Sequence, residues 1–234
     1  MARENEKSIR ECAELTDRVP QMKKTFVRTL SQPKLVDPVI VVGLPSIGDV
    51  GRMAAKLFRD FLKAEPFAEL YSPLLPDYVF IDKKGVCRPP KYEFYVSPNS
   101  PSLVILMGDS QPALEDIPAH YELCSDILDY VSELGCKSII TMDGAPTTNP
   151  TKEIYVAATD KDLAAEYASK GAVAYKRRRI IGMSGLLLGL AKKRGLKGAC
   201  ILGSTSGFTA DRESAFRVYR FLRKVILPDS KEST

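Results

Sequence analysis

The sequence predicts an α/β fold: a mixed, mainly parallel sheet covered by helices on both faces. Three observations carry this. Short, continuous Val/Ile/Leu runs recur along the chain, as in strands buried on both sides. Stretches of helical period follow or separate them, the pattern of βαβ units. Residues 67–97 depart from that alternation and hold strand signals with no room for helices.

Taken in order, Val39-Ile-Val-Val42 is the first buried strand. Val50, Met53, Ala54, Leu57, Phe58 and Phe61 then repeat at helical spacing, opposite Arg52, Lys56, Arg59 and Lys63. Tyr78 to Ile81 and Val86 to Arg88 flank Asp82-Lys-Lys-Gly85, a hairpin signal, and Tyr92 to Val96 follows as a further strand. An antiparallel section of the sheet is expected here. Leu103 to Met107 is the next buried run. His120, Leu123, Cys124, Ile127, Leu128, Val131 and Leu134 form one helical stripe, with Gly135 placed to stop it. Ser138 to Thr141 and Ala199 to Leu202 are strands. Helices are expected over residues 184–194 and through Ala215, Val218, Tyr219, Leu222, Val225 and Ile226, ending at Pro228. Gly185 and Gly189 cost helix stability, ~1 kcal/mol each against Ala, so close approach of another backbone is expected beside them.

The 234 residues divide into an N-terminal extension (1–23, with a helix around residues 9–18), a single α/β domain (24–227) and a flexible C-terminal tail (228–234). A hydrophobic fraction of 44% suffices for a substantial core. No run approaches the ~20 apolar residues of a membrane span, and the charged start, Met1 to Lys7, precedes no apolar segment. A cytoplasmic protein is expected. The five cysteines (Cys12, Cys87, Cys124, Cys136, Cys200) are scattered and contain no CxxC pair, so neither a disulfide framework nor a zinc cluster is indicated. Net charge is +5; the runs Lys176-Arg-Arg-Arg179 and Lys192-Lys-Arg194 lack any interleaved nucleic-acid signature and read as solvated surface or a subunit contact.

The candidate site is the crevice beyond the carboxyl ends of the strands, where open α/β sheets bind ligands. The first strand runs into Gly43-Leu-Pro45-Ser-Ile-Gly48-Asp49-Val-Gly51 and then a helix. That is GxxxxG, but Asp49-Val50 stands where a phosphate loop has Lys and Ser/Thr. The cation and the hydroxyl are missing, and a carboxylate sits where an anion would lie. A tight turn whose glycines allow close strand–helix packing fits better. Asp109, Asp143 and Asp160 each follow an apolar run. Together they could act as acid and base or hold a metal; separately they cap helices or make turns. His120, the lone histidine, lies on an apolar stripe and reads as packed rather than catalytic; no GxSxG or HExxH is present. No metal or other cofactor is expected. The candidate crevice comprises Gly43, Pro45, Gly48, Asp49, Asp109, Gln111 and Asp143.

Four blocks together resemble the proteasome assembly chaperone family, especially its archaeal members. They are Asp37-Pro-Val-Ile-Val-Val-Gly-Leu-Pro-Ser-Ile-Gly-Asp-Val-Gly51, Glu69-Leu-Tyr-Ser-Pro73, Leu106-Met-Gly-Asp-Ser-Gln-Pro112 and Ser184-Gly-Leu-Leu-Leu-Gly-Leu-Ala-Lys-Lys-Arg-Gly195. Ala157-Ala-Thr-Asp160 and Gly198-Ala-Cys-Ile-Leu-Gly203 fit too, and the match spans roughly residues 25–226. The resemblance implies a three-layer α/β/α sandwich, phosphorylase-like in shape, without an established active site. It implies homo-oligomers that bind proteasome α subunits. Some archaeal members dock through a C-terminus of a hydrophobic residue, Tyr and one more residue. This chain ends Lys231-Glu-Ser-Thr234, so docking through such a tail is not expected.

Two functions follow. The first is a non-catalytic, protein-binding oligomer whose partners are proteasome α subunits or a related protein, with no role for nucleic acid or membrane. The alternative is an enzyme or ligand-binding protein that takes a nucleotide or other small molecule in the crevice.

Overall fold

The computed structural model describes residues 22–177 and 179–227. The expected helix at residues 9–18, Cys12 and the tail from residue 228 fall outside them.

The strands are β1 (Phe26–Thr29), β2 (Val39–Gly43), β3 (Glu65–Tyr71), β4 (Phe80–Ile81), β5 (Cys87–Arg88), β6 (Tyr92–Ser97), β7 (Ser100–Gly108), β8 (Ser138–Pro146), β9 (Ile154–Ala158), β10 (Val173–Ala174) and β11 (Lys197–Thr205). The helices are α1 (Val50–Leu62), α2 (Ile117–Glu133), α3 (Lys161–Ser169), α4 (Met183–Lys193) and α5 (Arg212–Ile226). One nine-stranded sheet has the order β1-β3-β6-β7-β2-β8-β11-β9-β10. Its centre, β7-β2-β8-β11, is parallel, with Val41 paired to both Ile105 and Ile140. These are the continuous apolar runs, and they are the strands buried on both faces.

Successive strand residues face opposite layers. Ile40, Val42, Leu106 and Ile139 pack against Leu123, Ile127 and Leu187 of α2 and α4. Val41, Ile105, Met142 and Ile201 pack against Ala54, Phe58, Val218 and Leu222 of α1 and α5, with Tyr167 of α3 beside them. The α/β/α layering is thus set by the alternation within each strand. Phe58 is fully buried and meets the Tyr219 ring edge-on at 4.9 Å; removing such a side chain costs ~3–5 kcal/mol. Asp116, Asp160 and Asp211 start α2, α3 and α5 by accepting the N–H of Ala119, Leu163 and Ser214, each cap contributing ~1 kcal/mol.

Three features depart from the sequence expectation. The β4–β5 hairpin forms its own two-stranded sheet and does not enter the main one. The antiparallel flank is built instead by β1, β3 and β6. β3 is disguised because its register shifts between Pro66 and Ala68 and because it buries Glu69. That carboxylate bonds Lys91 at 2.5 Å and accepts from Tyr71 at 3.1 Å, so a charge stands where a strand pattern calls for an apolar side chain. Finally, β9 runs antiparallel to β11. Its carboxyl end, and Asp160 with it, therefore lies at the amino-terminal end of β11, beside Gly198 and away from the crevice.

Candidate functional site

The carboxyl ends of β7, β2, β8 and β11 frame the crevice. From Gly43 the chain passes Leu44 and Pro45 into a 3₁₀ turn over Ile47–Asp49 and then α1. Gly48 (φ 63°) and Asp49 (φ 51°) are both left-handed. Glycine adopts that conformation freely, and Asp is among the few other residues that tolerate it. The Asp49 carboxylate does not cap α1. It clasps Arg52, with Oδ2 2.6 Å from Nη2 and Oδ1 2.9 Å from Nε, and this hydrogen bonding raises the Arg52 pKa. The Asp49 N–H donates to the Ser46 carbonyl oxygen at 2.9 Å.

The turn's glycines are packing residues. A Cβ at Gly43 would meet Ala55 and the Gly51 carbonyl, and one at Gly51 would run into the Met142 carbonyl oxygen. The space between turn and sheet is filled by protein backbone, as the tight-turn reading expects.

The structure gathers the other candidates in two groups around this turn. Gln111 bridges its elements: Nε2 donates to the Pro45 carbonyl, and Oε1 accepts the Met183 N–H at 3.3 Å, joining the β2–α1 turn to the start of α4. Asp143 lies inside β8, two per cent exposed, and accepts the Gly144 N–H at 2.6 Å. Burial raises its pKa; the hydroxyls of Ser46 and Ser184 and the N–H groups of Gly144 and Ile47 oppose the rise. Neither hydroxyl reaches hydrogen-bond geometry with a partner among the described residues. Asp109 turns the other way. Arg88 holds it through two bonds (2.5 and 3.0 Å) and Lys91 N–H donates to it at 2.9 Å, which ties the β4–β5 hairpin to the sheet. The two aspartates therefore serve different neighbours and do not form an acid–base pair. His120 is buried, and its Nδ1 donates to the Asp116 carbonyl oxygen at 2.9 Å. The buried thiols of Cys124 and Cys136 are pushed up to about 12 and are inert. No group of three or more metal-ligating side chains occurs among the described residues.

Two apolar openings flank this region. Beside Asp143 and Gly144 is a cavity of about 450 Å³, walled by Ile47, Pro146, Tyr175, Ile180 and Leu202, with Arg177 and Arg179 on its lining. A second, about 360 Å³, is a groove between α2 and α4. Leu114, Ile117, Tyr121 and Ile181 line it and are 72, 57, 51 and 61% exposed. Sequence reasoning missed both. The basic run at 176–179 was legible as charge, but nothing in its pattern places Arg177, Arg179 and Ile180 on the lining of one cavity.

The fold and site define an α/β/α protein whose crevice is closed by packing at the glycine turn and apolar beside it. Residues 40–230 match the model of the PAC2 family, and the chain belongs to that family. The chain is 37% identical to PbaB of Pyrococcus furiosus, an archaeal proteasome activator, with a TM-score of 0.81 over 87% of this chain and 89% of that one. PbaA of the same organism, an archaeal homolog of proteasome-assembly chaperone, is 25% identical with a TM-score of 0.72, over 86% and 81% of the two chains. An uncharacterised protein of Methanocaldococcus jannaschii is 30% identical over 185 residues, 77% of this chain and 70% of that protein. The resemblance read from the four sequence blocks is borne out.

Proposed function

We propose that this chain is a non-catalytic, protein-binding member of the PAC2 family that acts as a homo-oligomer on proteasome α subunits in the cytoplasm. The observation that carries the reading is its likeness to PbaB across nearly the whole of both chains. The site supports it. Of the side chains considered for catalysis, Asp109 is held by Arg88 and His120 by a backbone carbonyl, while Asp49 of the glycine turn is held by Arg52. The surface offers a contact instead. Large apolar side chains exposed together, as along the α2–α4 groove, mark protein interaction sites. Phe208, 92% exposed on the β11–α5 connection, is a further anchor of the aromatic kind that dominates interfaces.

Pull-down and peptide-hydrolysis assays with an archaeal core particle test the reading. A complex with α subunits, and a change in ring assembly or peptide turnover when the chain is added, are expected. Absence of both overturns the proteasome role.

A further inference from the structure

We propose that the cavity lined by Tyr175, Arg177, Arg179 and Ile180 binds a small monocarboxylate with an apolar body, its carboxylate held by Arg177 and Arg179. This goes beyond the proteasome reading and stands or falls separately from it. The volume, about 450 Å³, lies within the range of small-molecule sites. Its wall of Ile47, Pro146, Tyr175, Ile180 and Leu202 offers apolar contact and few polar partners. Charge enters through Arg177 and Arg179. Among the described residues neither Arg177 nor Arg179 forms an ion pair with a carboxylate. Two guanidinium groups on the lining of an apolar cavity suit one planar anion, because each presents a fork that matches a carboxylate.

The same surroundings disfavour a polyphosphate. Backbone donors near the cavity are already used: Gly144 N–H, on its lining, bonds Asp143, and close by Asp49 N–H bonds Ser46 and Thr147 N–H bonds Thr205. Asp143 is buried and bonded to the N–H of Gly144, which lines the cavity, so a second negative charge driven inward approaches a buried carboxyl group. One charge at the rim with a hydrocarbon body inside avoids that repulsion.

Isothermal titration of the full chain with 3-phenylpropanoate tests this, with 3-phenylpropanamide, inorganic phosphate and a tetrapeptide ending in leucine as comparators. The acid is expected to bind saturably at millimolar or lower concentration. Affinity should fall at least tenfold in the Arg177→Ala/Arg179→Ala double variant, whose melting temperature should equal that of the parent because both side chains are on exposed residues. Amide and phosphate should bind at least tenfold more weakly than the acid. The proposal is overturned if the acid does not bind, if the amide or phosphate matches it, or if the double variant keeps its affinity. Tighter binding of the peptide than of the acid also overturns it, by making a chain terminus the occupant.

Discussion

The crevice is bordered by two segments that fill space differently. The β2–α1 turn has the glycines of a ligand loop but reads as a packing turn, because Asp49-Val50 stands where a phosphate loop has Lys and Ser/Thr. In the structure it is solid: Gly43 and Gly51 sit against backbone, and Asp49 is occupied by Arg52. The basic run at 176–179 reads as solvated surface or a subunit contact; Arg177 and Arg179 are exposed and also line an apolar cavity. Glycine-rich composition permits close approach, but whether a ligand or the protein itself makes that approach depends on what lies across the turn. Here it is the Met142 carbonyl of β8.

If this contrast is right, the two segments respond oppositely to substitution. The largest effect is expected at Gly51→Ala, whose methyl group would clash with a backbone oxygen that has no room to move. A loss of about 3 kcal/mol, or failure to fold, should appear in urea denaturation. In the basic run, Arg177→Ala/Arg179→Ala should stay within ~0.5 kcal/mol of the parent in the same experiment. Equal losses in both segments would erase the distinction.

The next effect concerns the surface outside the crevice. Leu114→Glu with Tyr121→Glu places charge in the α2–α4 groove on exposed positions. Association with the partner, measured by analytical ultracentrifugation, should weaken at least tenfold while the melting temperature holds.

A third outcome is a pH dependence. Burial raises the Asp143 pKa in the folded chain above its ordinary value. The neutral acid is the better-tolerated form, so its stabilising contribution is complete below about pH 4 and is lost as pH rises through the folded value. Asp143→Asn keeps an acceptor for the Gly144 N–H and cannot ionise. Its stability relative to the parent should therefore improve from pH 4 to pH 7. A difference that does not vary with pH would mean the carboxylate stays ionised with its neighbouring dipoles.

The smallest effect is expected at Asp49→Asn, which keeps a residue tolerant of the left-handed backbone and removes only the charge. The Arg52 side chain is 45% exposed, so about 0.5 kcal/mol is at stake.

Much of the fold was legible because the central strands are uniform. Val39–Val42, Leu103–Met107 and Ala199–Leu202 contain no residue that argues against a buried strand, and the helices between them keep a single apolar stripe. The flank was hidden by long-range pairing. β3 buries Glu69 because Lys91, 22 residues away, neutralises it, and no local pattern announces that partner. Asp160 was misplaced for a similar reason: strand direction in β9 is set by its antiparallel pairing with β11, which spacing alone does not reveal. Within the site, the proximity of Gly43, Pro45, Gly48, Gln111 and Asp143 followed from the strand ends. The cavity did not, since Ile47, Leu202 and Arg179 come from separate elements and share no sequence signal.

The central claim is that this PAC2 protein works by binding proteasome subunits. Native mass spectrometry of the intact chain mixed with archaeal proteasome α subunits tests it most directly. The account predicts masses for complexes of the two proteins, lost on Leu114→Glu/Tyr121→Glu substitution. Spectra showing only separate α subunits and separate chain, under conditions where α subunits assemble with their own partners, would contradict it.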